Sequence, residues 1–136
     1  MAGNKADIWH LRQHPAALDL KFKKGIKRPD RDNAIDLFLR DDVTPSEIGS
    51  WEQNFEFIPG RLTLLEKQQW LEKNAKDVSL SSDAFFPFRD NIDRAYKSGV
   101  KFVLQPGGAI RDEDIVEVCN QCGMVMACTK IRLFHH

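Results

Sequence analysis

From Asp77 onward, short apolar, β-branched stretches alternate with polar stretches of helical period, and few folds accommodate that pattern. "VSLSSDAFF" (78–86), "VKFVLQ" (100–105) and "MVMACTKI" (124–131) read as strands. Between them, "RDNIDRAYKSG" (89–99) opens at a capping Asp90 or Asn91 and closes on Gly99, and "RDEDIVEVCNQCG" (111–123) closes on Gly123. In the second helix Ile115, Val118, Cys119 and Cys122 fall at i, i+3, i+4 and i+7, giving one apolar stripe. The order is β-α-β-α-β. Strands this apolar, joined by helices of about ten residues, imply a mostly parallel sheet covered by helices, an α/β fold over residues 77–136. In such sheets ligands gather beyond the carboxyl ends of the strands. Those ends lead into "FFPFRDN" and "QPGGAIRD".

Residues 1–76 read as a helical half. Trp9 and Leu11 suggest a short helix stopped near His14-Pro15, because a residue before proline avoids the helical region. Ile35, Phe38 and Leu39 recur at helical spacing. Thr44-Pro45-Ser46-Glu47 and Thr63-Leu64-Leu65-Glu66 have the form of capping boxes, and the second opens a helix through Trp70 and Leu71.

Bulk properties remove several functions. The 136 residues fit one compact domain. No apolar run approaches the ~20 residues of a membrane span, and the start "MAGNKADIW" lacks a secretory layout, so a soluble cytosolic protein is expected, with no membrane partner. Three cysteines, an odd number, suggest reduced thiols. Lys and Arg number 20 against 20 Asp and Glu, which leaves no whole-molecule field to attract nucleic acid.

Each motif has a structural and a functional reading. "CNQC" has zinc-knuckle spacing, but Cys119 and Cys122 lie on the core-facing stripe and only Cys128 remains as a third, so buried thiols are expected and no metal. "KFKKGIKRPDR" (21–31) holds six basic residues, one acid and a single aromatic, Phe22, and reads as a solvated loop or assembly contact. In "SDAFFPFRDN" (82–91) the phenylalanines can plug the core or wall a pocket, and Asp90 can cap a helix or face a ligand's polar edge. Gly107 and Gly108 allow close backbone approach beside a helix start with open amides, although a tight turn needs the same glycines. Arg132 reads as the one cation at the exit of the last strand, either an ordinary surface arginine or a guanidinium suited to gripping phosphate. His10, His14, His135 and His136 cannot be paired from the sequence.

Together "AGNKADIWHLRQHP", "GIKRPDRDNAID", "VSLSSDAFFPFRDNIDRA", "QPGG" and "IRLFHH" resemble the carboxyl-terminal part of the bifunctional purine-biosynthesis family that combines AICAR transformylase with IMP cyclohydrolase. The resemblance implies that residues 1–136 are the C-terminal portion of the transformylase domain, a cytidine-deaminase-like three-layer α/β/α fold. It implies formyl transfer from 10-formyltetrahydrofolate to the 5-amino group of AICAR, on the way to IMP. AICAR and folate would be the small-molecule partners, within a cytosolic homodimer. Phe85 and Arg132 correspond to AICAR-binding residues, with Pro87 and Phe134 lining the same pocket. Asp90 corresponds to a folate-contacting carboxylate, accompanied by Asn91. Ala109 and Ile110 lie on a folate-facing loop, here through backbone contacts. The family's catalytic Lys-His pair is expected upstream of Ala2, since the chain contains no Lys-His dipeptide. The expectation is an inactive fragment without the cyclohydrolase domain, its Met before "AGNKAD" read as an engineered or secondary start. The alternative is a truncated paralogue acting as a dimerisation or regulatory module.

Overall fold

The computed structural model describes residues 1–133. The element order is α1 (Ala2–Leu11), α2 (Pro15–Leu18), α3 (Arg28–Leu39), α4 (Pro45–Glu52), α5 (Leu64–Asn74), β1 (Val78–Ser81), α6 (Arg89–Lys97), β2 (Val100–Gln105), α7 (Asp112–Gln121) and β3 (Val125–Cys128). The chain divides into two compact units, Met1–Leu71 and the residues from Glu72 onward. The division falls within the last turn of α5, ahead of the change of pattern at Asp77.

The first unit is helical because its apolar residues recur at helical spacing and its helices are well started. Leu11, Ala17, Ala34, Leu37, Phe38, Leu39, Trp51 and Phe55 form its core. Trp51 is the hub: it stacks with Phe38 at 6.3 Å, meets Phe55 edge-on at 4.8 Å and donates its indole N–H to the Ala34 carbonyl at 2.9 Å. Both capping boxes form. The Glu47 and Glu66 carboxylates accept from the backbone of Thr44 and Thr63 at 2.8 and 2.7 Å, and the threonine hydroxyls accept in return at 3.3 and 3.2 Å. His14, which the sequence left unpaired, caps α2 by accepting from the Ala16 amide, and its ring lies 4.8 Å from that of Trp70.

The basic stretch 21–31 is solvated, Phe22 and Ile26 being its only residues that are not exposed, but it is a loop only over 21–27. Its last residues already belong to α3, with Pro29 in the first helical turn. Phe22 is paired with Phe55 across an isolated antiparallel bridge, the rings 5.0 Å apart, and Arg31 lies over its ring. Its aromatic face is therefore engaged within the protein.

The second unit is the expected β-α-β-α-β. Its sheet has the order β1-β2-β3 and is entirely parallel. The register aligns Leu80, Val103 and Met126 in one row, and these pack with Ile92 and Ala95 of α6 and with Ile115, Val118 and Cys119 of α7. Both helices thus cover the same face. The neighbouring rows, Ser79-Phe102-Val125 and Ser81-Leu104-Ala127, lie on the opposite face and are exposed. The parallel α/β reading stands, but among the described residues of this unit the third layer is not formed. An irregularity in pairing between Val78 and Ser79 leaves Lys101 unmatched, so β2 loses strict alternation and Lys101 and Phe102 are both exposed. β1 is also shorter than "VSLSSDAFF": the ladder closes with the Ser82 amide on the Leu104 carbonyl at 2.9 Å, and the chain then leaves the sheet. No helix among the described residues is long and apolar enough to cross a membrane.

Candidate functional site

A parallel sheet brings all its carboxyl ends to one edge, so three segments meet there: 82–88 after β1, 106–111 after β2 and 129–133 after β3. Gln105, the last residue of β2, joins them. It is 0% exposed. Its side-chain oxygen accepts from the Phe86 amide at 3.0 Å, its amide nitrogen contacts Met126 Sδ at 3.2 Å, and its backbone carbonyl accepts from the Thr129 amide at 2.8 Å. The Lys130 amide donates to the Pro106 carbonyl at 3.0 Å and the Leu133 amide to the Asp83 carbonyl at 3.3 Å. Sequence reasoning did not single out Gln105. Its signal was there, in a polar residue ending an otherwise apolar strand just before Pro-Gly-Gly.

These ties frame a cavity of about 440 Å³ lined by Phe85, Pro106, Gly107, Gly108, Lys130 and Arg132. That volume suits a small metabolite. Phe85, the glycine pair and Arg132, far apart in sequence, are thereby brought together. Gly107 and Gly108 take φ values of +74° and +94°, which L side chains resist. A Cβ on Gly107 would also come within 3.3 Å of Cys128 Sγ, so the cavity floor is backbone by necessity.

The three phenylalanines separate in role. Phe86 packs into the core, whereas Phe85 and Phe88 stay exposed. A single plug is excluded because α6 begins at once after Phe88 and turns the flanking rings outward. The helix cap is also corrected: Phe88 holds the N-cap position without a side-chain cap bond, and Asp90 sits within the first turn. Asp90 and Asn91 are one helical step from the loop. Asn91 donates to the Phe88 carbonyl at 3.1 Å and reaches Asp90 Oδ1 at 3.5 Å. Neither residue lines the cavity, nor does exposed Pro87.

The loop after β2 departs from its reading as a cluster of open amides. Asp112 accepts from the Gly108 and Ala109 amides at 2.5 and 3.1 Å, and its own amide donates to the Ala109 carbonyl at 3.2 Å. The expected backbone contact at Ala109 would compete with these bonds, and Ile110 points fully into solvent. Arg132 is joined at the strand exit by a second cation, Lys130, whose backbone adopts φ 58°. Sequence reading passed over Lys130 because nothing in side-chain periodicity marks a lone left-handed residue. Phe134, His135 and His136 lie outside the described residues.

A second cavity, about 290 Å³, lies between the starts of α6 and α7 and is lined by Phe88, Arg89, Arg111 and residues of α7. The Arg111 guanidinium sits 5.8 Å from the Phe88 ring centre. Arg89 pairs with Asp93 at 3.1 Å, and that hydrogen bond raises its pKa further above the ordinary arginine value. Of the "CNQC" thiols, Cys119 behaves as the expected buried core residue, whereas Cys122 is only partly buried. Cys119 is buried and desolvation pushes its thiol above the usual range, away from the thiolate a metal or a nucleophilic reaction requires; Cys122 packs beside the same core.

No family model matches the chain. Among curated proteins it is similar to the bifunctional purine biosynthesis protein PurH of Clostridium perfringens strain SM101, at 53% identity over 66 residues, which is 48% of this chain and 13% of that protein. The protein of the same name from Lactococcus lactis subsp. cremoris strain MG1363 is 46% identical over 71 residues, 52% of this chain and 13% of the relative. The matched segments thus span about half of this chain and a small part of each relative. The resemblance read from the residues is the one these proteins bear.

Proposed function

We propose that the chain is the carboxyl-terminal portion of the transformylase domain of a bifunctional purine-biosynthesis protein, and that its cavity is part of the AICAR site. The reaction is formyl transfer. The 5-amino nitrogen of AICAR attacks the formyl carbon of 10-formyltetrahydrofolate, the bond from that carbon to N10 breaks, the amine proton passes to a base, and N10 takes up a proton, leaving FAICAR and tetrahydrofolate. The observation that carries the reading is the meeting of Phe85 and Arg132 across the Gly107-Gly108 floor in one cavity. A flat aromatic beside a guanidinium suits a purine precursor that carries a phosphate.

In this reading Phe85 packs on the imidazole carboxamide and Arg132 grips the 5′-phosphate, with Pro87 and Phe134 at the pocket's margin. The folate approaches from the side of Asp90, Asn91, Ala109 and Ile110. The 136 residues contain no Lys-His dipeptide, so the chain alone holds substrates without turning them over. A missing positioned base costs about 10²–10⁴-fold in rate. Cytosolic location and a homodimeric parent belong to the same proposal.

Titration calorimetry with AICAR and a folate analogue tests the reading. Arg132→Ala should weaken AICAR binding by about ten- to a hundredfold, as expected for losing a charge-assisted pair. Asp90→Ala should weaken the folate analogue and leave AICAR unchanged. Wild-type affinity for both ligands in both variants sinks the assignment.

A further inference from the structure

Neither the motifs nor the family resemblance pointed to Lys130. After β3 the chain keeps one more step of ladder, Thr129 to Gln105, and then turns sharply. The turn is held on both sides. The Lys130 amide is fixed on the Pro106 carbonyl at 3.0 Å, and the Thr129 hydroxyl accepts from the Ile131 amide at 3.2 Å. Lys130 is thereby kept at φ 58°, a conformation that a residue with a side chain resists and that persists only where the surroundings impose it. Its consequence is geometric: Lys130 and Arg132, two positions apart, both face the same cavity.

The charge of that cavity is one-sided. Of its six described lining residues, the two that ionise are both cations, in a protein whose 20 basic and 20 acidic residues cancel. The nearby Asp112 carboxylate is not among those lining residues and is engaged by the Gly108 and Ala109 amides. The two cations are complementary in kind. Arginine offers a rigid planar fork, and lysine a mobile point charge with three donors on a long stem. A phosphate monoester carries about −1.5 to −2 charges at pH 7, more than one guanidinium neutralises.

We infer that Lys130 is a second phosphate ligand, acting with Arg132 on the dianionic 5′-phosphate of the bound nucleotide; the inference rests on the AICAR reading of the same cavity. Lys130 then sets the preference for nucleotide over nucleoside. Arg132 fixes the phosphate's orientation, while Lys130 supplies the remaining charge.

The test is calorimetry on the whole 136-residue chain with AICAR, its dephosphorylated riboside and ribose 5-phosphate. Two substitutions are compared, Lys130→Met and Lys130→Gly. The glycine variant removes the ammonium while favouring the observed backbone conformation, so it should keep or raise the melting temperature and remain folded. Both variants should bind AICAR and ribose 5-phosphate about tenfold more weakly and bind the riboside as wild type does. Lys130→Arg should restore most of the loss. The inference is overturned by unchanged AICAR affinity in the glycine variant, by an equal loss for the riboside, or by a wild-type chain that binds no phosphorylated ligand. Failure of the underlying reading looks different. Ribose 5-phosphate bound as tightly as AICAR, with the same dependence on Lys130, would reject the AICAR assignment and leave Lys130 a phosphate ligand.

Discussion

Gly99 follows α6 at φ +76°, and a Cβ placed there would sit 1.7 Å from the Ala75 carbonyl oxygen. No rotamer relieves that overlap because the obstructing atom is backbone. Gly99→Ala should therefore destabilise the protein by about 3 kcal/mol or more, read from urea unfolding, whereas Gly60→Ala, with open space around it, should have little effect. Gln105 makes a different demand. Its replacement by leucine fills the volume but leaves the Phe86 amide without its partner, a cost of about 1–3 kcal/mol. Because that bond holds the segment carrying Phe85, Gln105→Leu should also weaken AICAR binding, although Gln105 does not line the cavity. Calorimetry on the folded variant checks this, and wild-type affinity would show the bond to be structural alone. The sequence disclosed Gly99 as a helix stop but not the carbonyl it must avoid.

Helix starts carry the clearest pH dependence. The Glu47 and Glu66 carboxyls are held below the usual carboxylate range, chiefly by hydrogen bonds from the backbone of Thr44 and Thr63 and next by the threonine hydroxyls. A carboxyl whose folded pKa is depressed gives its full stabilisation above the unfolded value, near 4.3, and loses it as pH falls through the folded value. Glu47→Gln and Glu66→Gln should lower the urea midpoint at pH 7, and the difference from wild type should shrink as pH falls below about 4. A difference independent of pH would reject ionic capping. Both boxes were legible because the Thr-x-x-Glu spacing is local, and β2 was legible to the residue at 100–105 because its apolar run is short and bounded by Gly99 and Pro106. The start of α3 was not, since charge in residues 21–31 drew attention away from Pro29, whose fixed φ suits a first turn.

Across the molecule, one consequence of the parallel topology is a sheet face left open within the described residues. Phe102 and Leu104 are each 42% exposed and Val125 56%. Contiguous apolar surface of this kind is uncommon on a monomer. The chain should enhance the fluorescence of an apolar dye such as ANS, and Phe102→Lys combined with Val125→Lys should reduce that signal without lowering the melting temperature. An unchanged signal would mean the face is covered in solution. By itself the sequence determined the alternating elements, the parallel sheet, the two capping boxes and the loops where a site belongs, because each depends on spacing along the chain. Tertiary structure alone decided that both helices take one face, that Gln105 ties three loop segments together, and that Lys130 joins Arg132 beside Phe85. Those outcomes depend on the register of paired strands and on a backbone turn imposed from outside the segment that makes it, which side-chain pattern does not encode.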